Sequence, residues 1–414
     1  MQALRVRDRA GGGDRTQGRE DSGGSRFTEG RRAMIDLHTH ILPQRWPSWT
    51  QRTGYAGWVE LAHEAGGCGC GGGSGVGSGT VTQWQSGAVQ GRREESARSA
   101  DVRVELARAK MLATTSVDGS TAPKFFREVD ARLWSPAVRL EMMDRIGVAM
   151  QVLSTVPVMF ASWAKAGDAR DLHRLLNDHI AEICRGNPER FAGLGVVPMQ
   201  DEQMACAELE RCVRDLGMRG VQIGTHVNGA NLDDDRIVRV LEHAEKIGAC
   251  VFVHPWDMLG GERMARYWMP WLVAMPTETT IAMMSVIFGG VLDRLPRLRM
   301  CFAHGGGSFP GTIGRITHGL HARPDLFPAG AKEPAAYLAR DGAPARVWVD
   351  SLTHDARALG LLVEMFSARR VALGTDYPFP LGEDVAGELI ASMGFDAMTA
   401  GMLRSGAARE FLGA

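Results

Sequence analysis

The stretch MIDLHTH, residues 34–40, decides how the rest of the chain is read. It is a short apolar run carrying two histidines two residues apart. Side chains alternate across a strand, so His38 and His40 point to one face. Seven further runs of the same kind follow: MQVLSTV (150–156), FAGLGVV (191–197), GVQIGTHV (220–227), CVFVHPW (250–256), RMCFAHG (299–305), RVWVDSL (346–352) and VALGTDY (371–377). Between them lie DLHRLLNDHIAEICR, ACAELERCVRDLG, RIVRVLEHAEKIG and LGLLVEMFSA, with apolar residues at helical spacing. Strands alternating with helices imply right-handed crossovers and a parallel sheet. Eight such units predict an α/β chain closed as a (β/α)8 TIM barrel rather than an open doubly wound sheet. No GxGxxG follows the first strand, which speaks against a dinucleotide-binding fold.

The longest interruption falls between the first and second strands, where residues 45–134 are expected to build a small lobe over the barrel mouth. Within it, residues 66–120 open with GGCGCGGGSGVGSGTV and read as a low-complexity, flexible insertion. Its ARAKML segment is rich in helix formers. Residues 1–33, rich in Gly, Arg, Asp and Ser, bury too little to offset their ordering entropy and are expected to be a disordered extension to the 34–414 domain. The extension is Arg-rich like a transit peptide yet mixes in Asp8, Asp14, Glu20, Asp21 and Glu29. Cytosolic residence is therefore expected, with organelle targeting left open.

A formal net charge of -1 provides no global field toward nucleic acid or anionic lipid, so any bound anion needs local groups. Seven cysteines without framework spacing read as reduced thiols. Cys68 and Cys70 lack partner ligands for a metal. No run of about 18 uncharged apolar residues is evident, so no membrane span is expected.

Unusual residues fall at the ends of the predicted strands: His38 and His40 on the first, His254 on the fifth, His304 on the sixth and Asp376 on the eighth. Functional groups in this fold gather at the carboxyl ends of strands. One strand-end histidine is more often a hydrogen-bonding group than a ligand. Two sharing a barrel interior need a reason to be buried, and zinc favours such nitrogens with a carboxylate and a water. His38, His40, His254 and Asp376 are the expected ligands. The fourth strand offers no lysine or glutamate to bridge two ions, so one metal per subunit is expected. His226 is read as a supporting or structural residue. His304, in CFAHGGG, is the acid/base candidate, able to take a proton from water that zinc has made acidic. A further ligand or a structural histidine is its alternative reading.

The segments IDLHTHILPQRWP, LSTVPVMFASWAK, GVQIGTHVN, CVFVHPWDM, YWMPWLVAMPTETT, CFAHGGGSFPGTIGRITHG and LGTDYPFPLGE together resemble the metal-dependent decarboxylase branch of the amidohydrolase superfamily. The likeness runs from Met34 to Leu412 apart from the insertion. It implies one Zn2+ on the four residues named, no organic cofactor, and His304 as acid/base. The implied activity is non-oxidative loss of CO2 from 2-amino-3-carboxymuconate 6-semialdehyde, in the kynurenine route of tryptophan breakdown. It also implies that Arg127 grips a substrate carboxylate, that Trp271 and Phe379 wall the pocket, and that Arg315 crosses a homodimer interface into the neighbouring site. Two guanidiniums suit a dicarboxylate, since each can bind one group bidentately. Nucleic acid and membrane partners are not expected. The competing expectations are a decarboxylase of hydroxybenzoate-type acids, a zinc hydrolase of a lactone or cyclic amide, and a silent barrel that only binds.

Overall fold

A computed structural model describes residues 34–63, 107–114 and 123–413. The expected extension at 1–33, most of the glycine-rich stretch, and Cys68 and Cys70 lie outside the described residues. The strands, in chain order, are β1 (Met34–Ile41), β2 (Val59–His63), β3 (Arg108–Thr114), β4 (Pro123–Asp130), β5 (Val148–Thr155), β6 (Phe191–Gly195) and β7 (Gly220–Ile223). They continue with β8 (His226–Val227), β9 (Ala230–Asn231), β10 (Cys250–Val253), β11 (Arg299–Phe302), β12 (Trp348–Asp350) and β13 (Val371–Ala372).

Eight of them form one sheet in the order β1-β5-β6-β7-β10-β11-β12-β13, with every ladder parallel. Backbone bonds from the residues after β13 close the ring onto β1. Leu37 N–H donates to Leu373 O at 2.8 Å, Asp376 N–H to His38 O at 2.9 Å and His40 N–H to Tyr377 O at 2.8 Å. The chain is a (β/α)8 barrel, with one strand arising from each of the eight apolar runs.

Alternation sorts the strand residues into two packing groups. Leu153, Ile223, Val251, Val253, Phe302, Val349 and Leu373 pack with helix residues such as Leu209, Ile237 and Leu359. Val152, Leu194, Cys250, Phe252, Cys301 and Ala372 pack with one another inside the ring, joined by Phe411 of the C-terminal helix Ala407–Leu412. On β1 the inside set begins with Ile35 and Leu37. The β1–β5 register then slips between Asp36 and Thr39. The slip lets the even residues His38 and His40 converge on a common cluster above Leu37.

The lobe between β1 and β5 contains a three-stranded antiparallel sheet, β2-β3-β4. Residues 107–112, the segment of helix formers, lie almost wholly on β3. Ala109 and Met111 are buried while Arg108 and Lys110 are exposed, a period of two that burial against Trp49, Trp58 and Leu133 rewards more than helix propensity. Trp256 and Phe379 of the barrel rim pack against this cluster, which fixes the lobe beside the mouth.

Among the described residues one helix, Pro270–Phe288, is long and apolar enough to cross a membrane by length and composition. About half of its apolar stretch is buried inside the fold, with Met283, Val286 and Ile287 in the main core. Its packing is that of a core helix.

Candidate active site at the barrel mouth

His38 and His40 come from β1, His254 from the residue after β10, and Asp376 from the link that closes the ring. One donor atom from each lies within 4.8 Å of the others. His38 Nε2 is 3.1 Å from His40 Nε2 and 3.6 Å from Asp376 Oδ1, and His40 Nε2 is 3.1 Å from that same oxygen. The other ring nitrogens settle the tautomers. His40 Nδ1 faces Thr155 O at 3.0 Å and His254 Nδ1 faces Pro255 O at 2.9 Å. Carbonyls only accept, so both Nδ1 atoms carry the proton. His38 Nδ1 donates to Asp350 Oδ2 at 2.7 Å.

Three Nε2 atoms therefore converge on one carboxylate. His254 Nε2 is buried with no hydrogen-bond partner. Such a donor set fits a divalent cation, which can bind the three nitrogens and the carboxylate together. Electrostatics agree. Burial holds His40 and His254 below the usual histidine range, and for His254 the neighbouring imidazoles add to it, so both are neutral at pH 7. Burial also works against a charge on His38, but the Asp350 hydrogen bond and the surrounding carboxylates reverse it and raise its pKa. Asp376, despite burial, is held down at about 2 by the imidazoles of His40, His38 and His304 packed around it.

His304 follows β11 in the left-handed region, at φ 57° and ψ 47°. Its ring centroid is 5.0 Å from that of His254 and 5.3 Å from that of His38. Burial and then the charge of His38 push its pKa down to about 4, which leaves a neutral imidazole at pH 7. The glycines after it are needed sterically. Gly307 sits at φ 66° and ψ -134°, and a Cβ there would run into Pro276 O.

Above this cluster opens a cavity of about 350 Å³. His40, His254, His304 and Asp376 form its floor, and Phe126, Trp256, Trp268, Trp271 and Phe379 supply aromatic walls. Arg127 projects from β4, opposite Met111 of β3. Its guanidinium carbon lies 4.6 Å from the Phe379 ring centroid, 4.8 Å from Phe126 and 5.9 Å from Trp271. Burial lowers its pKa, though an arginine stays charged. Among the described residues no carboxylate pairs with it in an ion pair, so the cavity presents one stacked, unpaired cation.

A model of the amidohydrolase family matches residues 35–411. The chain is 48% identical over 385 residues to 2-amino-3-carboxymuconate-6-semialdehyde decarboxylase of Dictyostelium discoideum, covering 92% of each chain. It is 32% identical over 406 residues to the Caenorhabditis elegans protein of that name, covering 86% of this chain and 88% of the other. Among solved structures, 5-carboxyvanillate decarboxylase from Sphingomonas paucimobilis superposes with a TM-score of 0.62 at 26% identity, over 68% of this chain and 84% of the other. The chain belongs to the amidohydrolase family. Within it the chain is a decarboxylase, a carbon–carbon lyase.

In this amidohydrolase, His38, His40, His254, His304 and Asp376 stand together at one rim, with Arg127, Trp271 and Phe379 on the cavity walls. Arg315 stands apart. It is exposed on the helix Phe309–Ala322 and does not line the cavity of its own chain. His226 lies on the β8–β9 ribbon, accepts from Gly229 N–H at 3.2 Å and bonds Asp257 O at 3.1 Å, a structural placement outside the cavity wall. Sequence reasoning missed Asp350, which is fully buried and bonded to His38. Its signal was the acid at the end of RVWVDSL, on the same parity as the inward Trp348. Trp268, Thr353 and His354 also line the cavity and had not been singled out.

Proposed function

We propose that this chain removes CO2 from 2-amino-3-carboxymuconate 6-semialdehyde, giving 2-aminomuconate 6-semialdehyde, in the kynurenine route of tryptophan breakdown. The 48% identity over nearly the whole chain carries the reading, and the complete donor set beneath Arg127 supports it. Zn2+ is the proposed metal, held by His38, His40, His254 and Asp376. When bound, it supplies Lewis acidity and brings the pKa of water in its shell to about 7. His304, neutral at pH 7, accepts a proton at the cavity floor and returns it to the carbon that loses carboxylate. Arg127 orients a substrate carboxylate by paired hydrogen bonds, and the aromatic walls exclude bulk water, which strengthens that contact. The bond broken is carbon to carboxylate and the bond made is carbon to hydrogen, so no redox partner is needed.

Homodimer formation belongs to the same proposal, with Arg315 entering the neighbouring cavity as a second carboxylate contact. Its exposure on an outer helix and its place in GTIGRITHG support this. Cytosolic residence is proposed alongside, tested by cell fractionation. The likeness to 5-carboxyvanillate decarboxylase favours one second reading, decarboxylation of a hydroxybenzoate-type acid on the same cavity. An optical assay separates them. Freshly generated semialdehyde mixed with zinc-loaded enzyme should lose absorbance faster than it cyclises to quinolinate. No acceleration there, with CO2 released from a hydroxybenzoate, would transfer the assignment to the second reading.

A further inference from the structure

We propose that Asp350 is a positioning residue whose single carboxylate fixes the His38 imidazole and the His304 backbone together, setting the spacing between the metal pocket and the acid/base group. The inference rests on the functional reading above. Asp350 ends β12 and is fully buried. Its Oδ2 accepts from His38 Nδ1 at 2.7 Å and from His304 N–H at 3.0 Å. Its Oδ1 accepts from Gly305 N–H at 2.8 Å and from Leu352 N–H at 3.2 Å.

A carboxylate offers about four lone-pair sites, and here four donors from three separate strand ends take them. One bond holds the proton on His38 Nδ1, so that Nε2 stays a lone pair aimed at the metal pocket. Two others hold His304 and Gly305 at φ 57° and 62°. For a histidine that left-handed backbone is sterically unfavourable, and the paired bonds offset it. No other described side chain bonds both His38 and the His304 loop, so the carboxylate is the link between the two halves of the site. An asparagine preserves the shape but has one accepting oxygen and an NH2, which leaves at least two of the four donors facing another donor.

The test compares the full-length wild type with Asp350→Asn. Metal-free protein is titrated with Co(II) and followed by visible absorption, and zinc-loaded protein is assayed for CO2 release from the semialdehyde. The substitution should weaken Co(II) binding by about 10–100-fold and shift the ligand-field spectrum. At saturating metal, kcat should fall by about 100-fold or more while KM stays within about threefold. An unchanged affinity and spectrum, or an unchanged kcat at saturating metal, overturns the assignment. Should Asp350→Asn not fold, imidazole 15N spectra of the wild type decide. His38 must carry a slowly exchanging proton on Nδ1, and a bare Nδ1 overturns the proposal. A wild type that binds Co(II) yet releases no CO2 from this semialdehyde defeats the substrate reading, while the titration still decides on Asp350.

Discussion

His304 and Arg127 divide the proposed chemistry between proton transfer and orientation, and each can be altered without touching the four proposed metal donors. His304→Asn should lower kcat by about 10²–10⁴-fold while zinc content stays at one ion per chain. Full turnover with zinc bound would remove His304 from its role. Arg127→Ala removes the one cation on the described cavity wall that is stacked by three aromatic rings. Its loss should cost about 2–4 kcal/mol in kcat/KM. Arg127→Lys should recover little of it, because an ammonium cannot reproduce the bidentate fork. Steady-state kinetics on both variants give the answer, and a lysine variant equal to wild type would refute bidentate recognition. His38, His40, His254 and Asp376 were legible from strand-end position and residue type. Asp350 was not, because an acid gains meaning only from what it touches, and its partner His38 lies 312 residues away.

A turn that carries His304 and a helix buried away from the cavity make separate predictions. The turn after β11 needs glycine where a Cβ has no space. Gly307→Ala should destabilise the fold by about 2 kcal/mol or more and lower turnover, as Pro276 or the His304 loop must move. Thermal melting and kcat measured together would show it, and a variant as stable and active as wild type would contradict the clash. The helix Ala166–Gly186 buries His173 completely, with Nε2 3.2 Å from Met159 O and 3.1 Å from Phe160 O. Burial lowers its pKa to about 4 from an ordinary 6.5. Between those values the unfolded chain binds the extra proton. Stability is thus complete above about pH 6.5 and falls as pH drops toward 4, by about 2–3 kcal/mol from this group. Urea midpoints across that window should slope less steeply for His173→Asn than for wild type, and parallel slopes would count against it. Helix and strand periods were readable for these elements. Residues 107–112 were not, since their propensity favours a helix and only the buried face of the lobe sheet makes them a strand.

At the level of the whole molecule, metal and assembly are the testable properties. A chelator should abolish activity and lower the melting temperature, because a cation bound only by the folded chain adds stability by mass action, about 4 kcal/mol at a thousandfold excess over Kd. Zinc should restore both; unaltered melting and activity after verified metal removal would sink the metal centre. Specific activity should fall on dilution below the dimer dissociation constant if Arg315 completes the neighbouring cavity. A flat dilution series would leave Arg315 outside the site.

Eight apolar runs, their alternation with helical stretches and the strand-end histidines were enough to determine a closed barrel and its donor set, because each is a local pattern that period and spacing express directly. Tertiary structure alone decided the parity slip on β1, the lobe sheet that hangs Arg127 over the mouth, and the four donors gathered on Asp350. Those depend on which distant backbones lie within about 3 Å of one another, a distance that closing the ring creates and no local pattern encodes.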